Sequence, residues 1–392
     1  MTVKIKNFSL WGFIIIASIL MAILMESSIS VYLEEIYNPK YYIYQALLYS
    51  LAVFVIIVSK KRIHERCFVG VMWAFSLCCF FFSVIQLNAF NARNVISLFF
   101  NTFIIPISFL NGLWLGNRLF AVKDRDLFLL LIQIPALYSM ILLRSYIEQV
   151  SWFHADAAFC IIVFMPFIFF FKRSWLTSLF AFIYILFALT SAKRSILIYA
   201  FFCIFLFVLY VLNNRDNSKK SIVPKRVLLA LIAIMGTYFI INQKSDVLFH
   251  ARERAEELGG MVGDNGRYDI YSMIIHNLSL SDSFHLLFGH GQMALVRDIG
   301  VGAHNDLLEI TYDYGFLSVI LYLVILIRFF VMAIRAFRHR QYQLSLRVGI
   351  SISSIAFLGF LNCIVTSTVL EYSMFLALGC AIGLKDDNSD NK

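Results

Sequence analysis

FIYILFALTSAKRSILIYAFFCIFLFVLY, residues 182–210, holds two long apolar runs separated by a short polar break. Lys193 and Arg194 are the only charged residues in the stretch. A bilayer span needs about 20 mainly apolar residues as a helix. Lipid offers the backbone no hydrogen-bond partner, so each such run must satisfy its own amides by coiling. The stretch therefore reads as two adjacent transmembrane helices joined by a very tight turn, with two cations at that turn.

The rest of the chain extends the pattern. It has 392 residues, of which 60% are hydrophobic and 15% charged, and a mean hydropathy of +0.79. Soluble domains lie well below that. The chain is thus expected to be an all-α polytopic membrane protein with about twelve spans, at roughly 8–25, 41–58, 67–87, 95–115, 127–143, 157–171, 175–190, 195–212, 226–241, 315–334, 348–367 and 370–384. The sixth, ninth and last are short, and the last is open to a re-entrant reading. Phe8–Met25 follows Lys4 and Lys6 like a signal peptide. It is too long for an h-region and has no clear small-residue cleavage site, so it reads as a signal anchor.

Charge sets the orientation. With the N-terminus inside, the inside loops and tails carry 22 Lys and Arg and the outside loops 10. That is the positive-inside bias. It also accounts for the net charge of +9 without nucleic acid as a partner. Three regions follow: spans one to nine in 1–241, a large outside loop at 242–314, and spans ten to twelve with a short cytoplasmic tail in 315–392. All seven cysteines lie in or at the edges of spans, none in the loop. The sequence therefore suggests neither a loop disulfide nor a thiolate metal site.

The loop has structure of its own. SDVLFHARERAEEL (245–258) has the pattern of an amphipathic helix. RYDIYSMIIHNL (267–278) gives a second, with Tyr271, Ile274, Ile275 and Leu278 expected on one side. GDNG (263–266) and FGHGQ (288–292) are turns, and NDLLEITYDYG (305–315) reads as a helix running into the tenth span.

By the charge bias, Lys193 and Arg194 are on the wrong side. Interface anchoring is one explanation, because Lys and Arg snorkel at helix ends. An anion site at the membrane surface is the other. There Arg194 is the better ligand, since its planar fork binds phosphate oxygens bidentately. Arg267 opens a loop helix and is followed by Tyr268. His304 sits between a Gly-rich stretch and a helix, with Asn305 a natural N-cap. The outside histidines, His285 and His290 among them, show no zinc-ligand spacing. Asp124-Arg125-Asp126 resembles a metal-binding acidic pair, but it lies in an inside loop before a span, where helix capping explains it.

SAKRS at a span start, GRYDIY, LFGHG and AHNDLLEITYDYGFLS in one long loop, and the multi-span frame resemble the O-antigen polymerase and O-antigen ligase superfamily. The resemblance runs from about residue 185 to 330. It implies a GT-C-like fold and a metal-independent, inverting glycosyltransferase without cofactor. That enzyme would act on undecaprenyl-diphosphate-linked oligosaccharide at the periplasmic face of the bacterial inner membrane. Partners would be membrane lipids and a chain-length regulator protein. Arg194 and Arg267 match the family's diphosphate-binding arginines and His304 its loop histidine. Lys193, Asn305, Tyr268 and His290 join them as expected substrate-binding residues.

Elementary chemistry agrees with these roles. A diphosphate is a good leaving group that needs charge stabilisation. A sugar hydroxyl is a poor nucleophile until a base takes its proton, and a neutral imidazole suits that near pH 7. A transporter, the reading from another class, would usually carry acidic residues inside its spans. Only Glu371 comes close, and the sequence puts it at the outer edge of the last span. Polymerase is preferred to ligase on the form of the SAKRS and AHNDLLEITYDYG stretches.

Overall fold

The computed structural model describes residues 2–34, 39–58, 66–86, 92–120, 124–147, 157–190, 194–213, 267–361 and 368–384. All regular structure in them is helical. In chain order come α1 (Thr2–Glu34), α2 (Pro39–Val58), α3 (Arg66–Ile85), α4 (Ala92–Phe120), α5 (Arg125–Ile147) and α6 (Ala157–Ile162). A 3-10 helix (Met165–Phe170), α7 (Ser174–Thr190) and α8 (Arg194–Asn213) follow. The loop helices are α9 (Arg267–Leu280), α10 (Ser283–Phe288) and α11 (Ala294–Ile299). The chain then returns through α12 (Asp306–Arg338), α13 (Tyr342–Leu361) and α14 (Thr368–Gly383).

Among the described residues, four segments are long and apolar enough to cross a membrane: Leu98–Leu119, Arg125–Leu143, Asp306–Arg338 and Tyr342–Phe360. Shorter apolar helices cover Leu10–Glu26, Ile43–Ile57, Val69–Ile85, Ala158–Phe170, Trp175–Ala188, Ile198–Val208 and Val369–Gly383. Large apolar side chains such as Ile57, Phe81, Ile85 and Ile141 are exposed on the outside of the bundle. In water such a surface would aggregate; against lipid it is ordinary. The chain is a membrane protein on these grounds. The ninth expected span, 226–241, the helix expected at 245–258 and the turn at 263–266 lie outside the described residues.

The close approach of α4 and α14 is made by glycine. Gly112 and Gly116 on α4 meet Gly379 and Gly383 on α14, and a Cβ on any of the four would strike the facing backbone. Two glycines four residues apart lie on one helix face. Without a hydrophobic driving force between helices in lipid, such close backbone approach is what holds them.

Proline accounts for two other features. Pro135 sits inside α5 and has no N–H, so the carbonyl of Leu131 loses its helical partner. The Ser18 hydroxyl of α1 donates to that carbonyl at 3.1 Å. The sixth expected span, 157–171, is not one continuous α-helix. It stops at Ile162 and resumes as the 3-10 helix with Pro166 at its start, because proline cannot continue the i→i−4 ladder. The break is buried, and Gln133 Nε2 donates to the Phe164 carbonyl at 3.4 Å. Tyr184 in turn donates to Gln133 Oε1 at 2.6 Å. Asp126 does cap, but across the bundle: it accepts from the amides of Lys172 (2.6 Å) and Arg173 (3.2 Å), just ahead of α7.

Candidate functional site

The site is built where α12 begins. Asn305 is its N-cap, extended at φ −155°, ψ 116°, and its side-chain oxygen accepts from the amides of Leu307 (3.0 Å) and Leu308 (3.3 Å). That satisfies two of the helix's orphan donors. Its Nδ2 donates to the carbonyl of Phe360 at 3.4 Å, one of the last carbonyls of α13. Asn305 therefore ties the loop-side ends of two helices together, and it is buried.

Three acids stand on one face of the first turns of α12, at i, i+3 and i+7: Asp306, Glu309 and Asp313. All are buried and all serve the backbone or the bundle. Asp306 Oδ2 accepts from the Tyr322 hydroxyl at 2.9 Å and presses on Gly359 of α13, where a Cβ would strike it. Glu309 Oε2 accepts from the amide of Ala303 at 3.0 Å. Asp313 accepts from the amides of Met293 and Leu295, both at 2.9 Å. Met293 is the N-cap position of α11 and has no side-chain cap there. The Asp313 side chain replaces it by accepting both amides.

Gly315 (φ 77°, ψ 172°) breaks α12. The break removes the helical partners of the Tyr312 and Asp313 carbonyls. The Gly289-His290-Gly291 turn supplies new ones: the His290 amide donates to Tyr312 and the Gly291 amide to Asp313, both at 2.9 Å. Gly289 (φ 78°) and Gly315 must both be glycine. Their φ values are left-handed, and a Cβ on either would strike the backbone of the other segment.

His304 lies on the turn that these contacts fix. It is half-buried and has a left-handed backbone, φ 51°, which is uncommon for a residue with a Cβ. His290 occupies a different setting. Its ring stacks between His285 (centroids 4.9 Å) and Tyr312 (4.6 Å). Nδ1 lies 3.2 Å from the Tyr312 carbonyl and Nε2 3.0 Å from the Ser281 hydroxyl. Both ring nitrogens are thus engaged within the loop. Burial lowers its pKa, with His285 and Arg297 adding to the effect. In the neutral ring Nδ1–H donates to the carbonyl, and Nε2 faces the Ser281 hydroxyl, which also donates to the Asn277 carbonyl at 2.9 Å.

α9 packs by a narrower stripe than expected. Ile270, Ile274 and Leu278 (i, i+4, i+8) meet Ala294, Leu295, Ala303 and Tyr312, while Ile275 is 60% exposed. The docking cluster is small and covers only one stripe. Arg267 falls on that stripe, two turns or about 10 Å from Ile274 along the axis. Tyr268, beside it, points out of the packed face and is exposed.

Arg194 is the first residue of α8, and Lys193 lies outside the described residues. The register of α8 on α13 fixes the level of Arg194. The Tyr199 hydroxyl donates to Ser354 Oγ at 2.7 Å, and Phe202 stacks on Phe357. Five residues back from Tyr199 is Arg194, and five residues on from Ser354 is Gly359. Each step is about 7.5 Å of helical rise. Both ends therefore come to the same level, where Asp306 presses on Gly359 and Asn305 holds Phe360. The backbone of Arg194 and the His304 turn share the loop-side end of α13.

Sequence reasoning missed the acidic stripe, although its i, i+3, i+7 spacing is visible in NDLLEITYD. It read Glu371 as an edge residue of the last span but did not foresee its burial. The residue is in the first turn of α14 but fully buried, and neither carboxyl oxygen has a hydrogen-bond partner among the described residues. The Tyr49 hydroxyl is in the same condition. No protein-family model matches the chain, and no curated protein matches it.

Proposed function

We propose that the chain is an O-antigen polymerase-type glycosyltransferase of the inner membrane. On this reading it has a twelve-span, GT-C-like frame, and its 242–314 loop faces the periplasm. It joins undecaprenyl-diphosphate-linked repeat units. The guanidinium groups of Arg194 and Arg267 hold the donor's diphosphate. His304 takes the proton of an acceptor sugar hydroxyl. The hydroxyl oxygen attacks the anomeric carbon from the face opposite the diphosphate. As that bond forms, the anomeric carbon–oxygen bond to phosphorus breaks, its electron pair leaves on the diphosphate, and the configuration inverts.

The observation that carries this reading is the docking of the His304–Asn305 turn on the loop-side end of α13, level with the start of α8. Residues far apart in sequence thereby meet at one end of the bundle. The left-handed His304 adds support, since residues held in sparse backbone regions cluster at functional sites. The buried acids add more: Asp306, Glu309 and Asp313 are turned inward and engaged with the Tyr322 hydroxyl or with backbone amides.

Deletion of the gene followed by a lipopolysaccharide ladder gel tests it. A single repeat unit on the core fits the polymerase. Bare core with lipid-linked polymer accumulating would point instead to transfer onto lipid A core, the ligase reaction. An unchanged ladder refutes both.

A further inference from the structure

We propose that α10 is a membrane-surface helix: Phe284 and Leu287 insert among lipid at the boundary between headgroups and acyl chains, and so fasten the loop to the bilayer. The helix is short, SFHLLF, and four of its six residues are apolar. Phe284, Leu287 and Phe288 follow i, i+3, i+4 spacing and share one side. Phe284 and Leu287 are 44% and 51% exposed.

What covers them follows from where the helix sits. Phe288 stacks on Phe82 of α3, with centroids 3.9 Å apart and planes 21° apart. One turn on, Gln86 Nε2 donates to the Gly289 carbonyl at 2.6 Å. Gln86 directly follows Ile85, the last residue of α3, and both Ile85 and Phe81 are exposed on that apolar helix. On the other flank, the backbone of Leu287 abuts Gly315. The next residue, Phe316, begins the exposed apolar face of α12. α10 is thus wedged between two apolar helices at the level where both reach their loop-side ends. Its apolar side chains continue a surface that lipid already covers. The polar Asp282 and Ser283 lie at its N-terminal end, and both are exposed. Apolar on one side and polar at its start, the helix matches an interfacial position.

The proposal does not depend on the enzymatic reading. A ketone-bearing amino acid coupled to a nitroxide, placed singly at 284 or 287 in the full chain, leaves the native cysteines untouched. Reconstituted in phospholipid vesicles, each label is read for collisions with oxygen, which concentrates in lipid, and with a water-soluble nickel chelate. Phe81 gives the lipid reference and Ser279 the aqueous one. Both α10 positions should follow Phe81, with oxygen favoured over the chelate several-fold. A chelate-dominated signal like that at Ser279 overturns the proposal. So does low access to both probes, which would mean that another part of this chain, or another protein, covers the helix. The two positions are surface sites and report independently, so loss of one variant leaves the other to decide.

Discussion

The role proposed for His304 can be separated from the demand its backbone makes. At φ 51° a non-glycine residue is strained by roughly 1–2 kcal/mol. Alanine keeps that strain and removes the imidazole. Glycine removes both. His304→Gly should therefore be more stable than His304→Ala by about 1–2 kcal/mol, roughly a 5–30-fold shift in the folding equilibrium. If His304 is the general base, that recovery of stability does nothing for activity. Both variants should lose about 10²–10⁴-fold in turnover, which is about 3–5 kcal/mol of barrier. Thermal denaturation of purified protein reads the first quantity. Polymer yield at matched expression, or turnover in lipid, reads the second. The outcome that refutes the reasoning is an active His304→Gly beside a dead His304→Ala. Position 304 would then need only a left-handed backbone, and the ring would have no part in the chemistry.

Other outcomes follow from the same geometry. Gly315→Ala and Gly289→Ala should each undock the Gly289–Gly291 turn, because left-handed strain of about 1–2 kcal/mol adds to a backbone clash; limited proteolysis within 281–299 should quicken, and unchanged cleavage would count against the interlock. Burial holds the His290 pKa below the ordinary value, so the docked turn prefers the neutral ring. Its stability should be full above about pH 6.5, the ordinary histidine value, and fall as pH drops through the lowered one. Hydrogen exchange at the His290 and Gly291 amides measures this, and protection that does not change down to about pH 5 would refute it. Gly379→Leu should separate α4 from α14 and lower the melting temperature, since overpacking commonly costs about 1–3 kcal/mol. Arg194→Lys and Arg267→Lys should lose most turnover if both bind phosphate by bidentate forks; full turnover in both would refute the paired forks.

Much of the fold is legible in the sequence because lipid makes strong demands on it. Every apolar run that crosses lipid must be helical, and most of the runs are long. Caps are local, so Asn305 can be read from AHNDLLE before any coordinate is known. Pro166 could have shown the break in the sixth run, as its missing N–H is a property of one residue. GLWLG and GCAIG also announce the α4–α14 contact through their spacing, though not which glycines meet. The mating of GHG with the kink at Gly315 is different in kind. It joins carbonyls freed on one segment to amides offered by another, and neither sequence says which partner will come. The burial of Glu371 is similarly tertiary: its place in the first turn is local, but the helices that enclose it are not.

The acids near His304 bear on the choice between an anion site and a structural turn. NDLLEITYDYG carries three carboxylates within eight positions, which is a poor composition for phosphate recognition if they face the ligand. Each is instead buried and occupied. Asp306 takes the Tyr322 hydroxyl, Glu309 the Ala303 amide, and Asp313 two amides at the start of α11. Their oxygens are engaged in holding the turn and the bundle. Arg194, by contrast, begins a helix whose first amides have no intrahelical partner and whose dipole is positive at that end. The end of α13 thus has the N-terminus of α8 on one side and buried, hydrogen-bonded acids on the other. On the proposed reading Arg194 and the first amides of α8 face the substrate's diphosphate, while the acids of α12 stay engaged with the backbone and Tyr322.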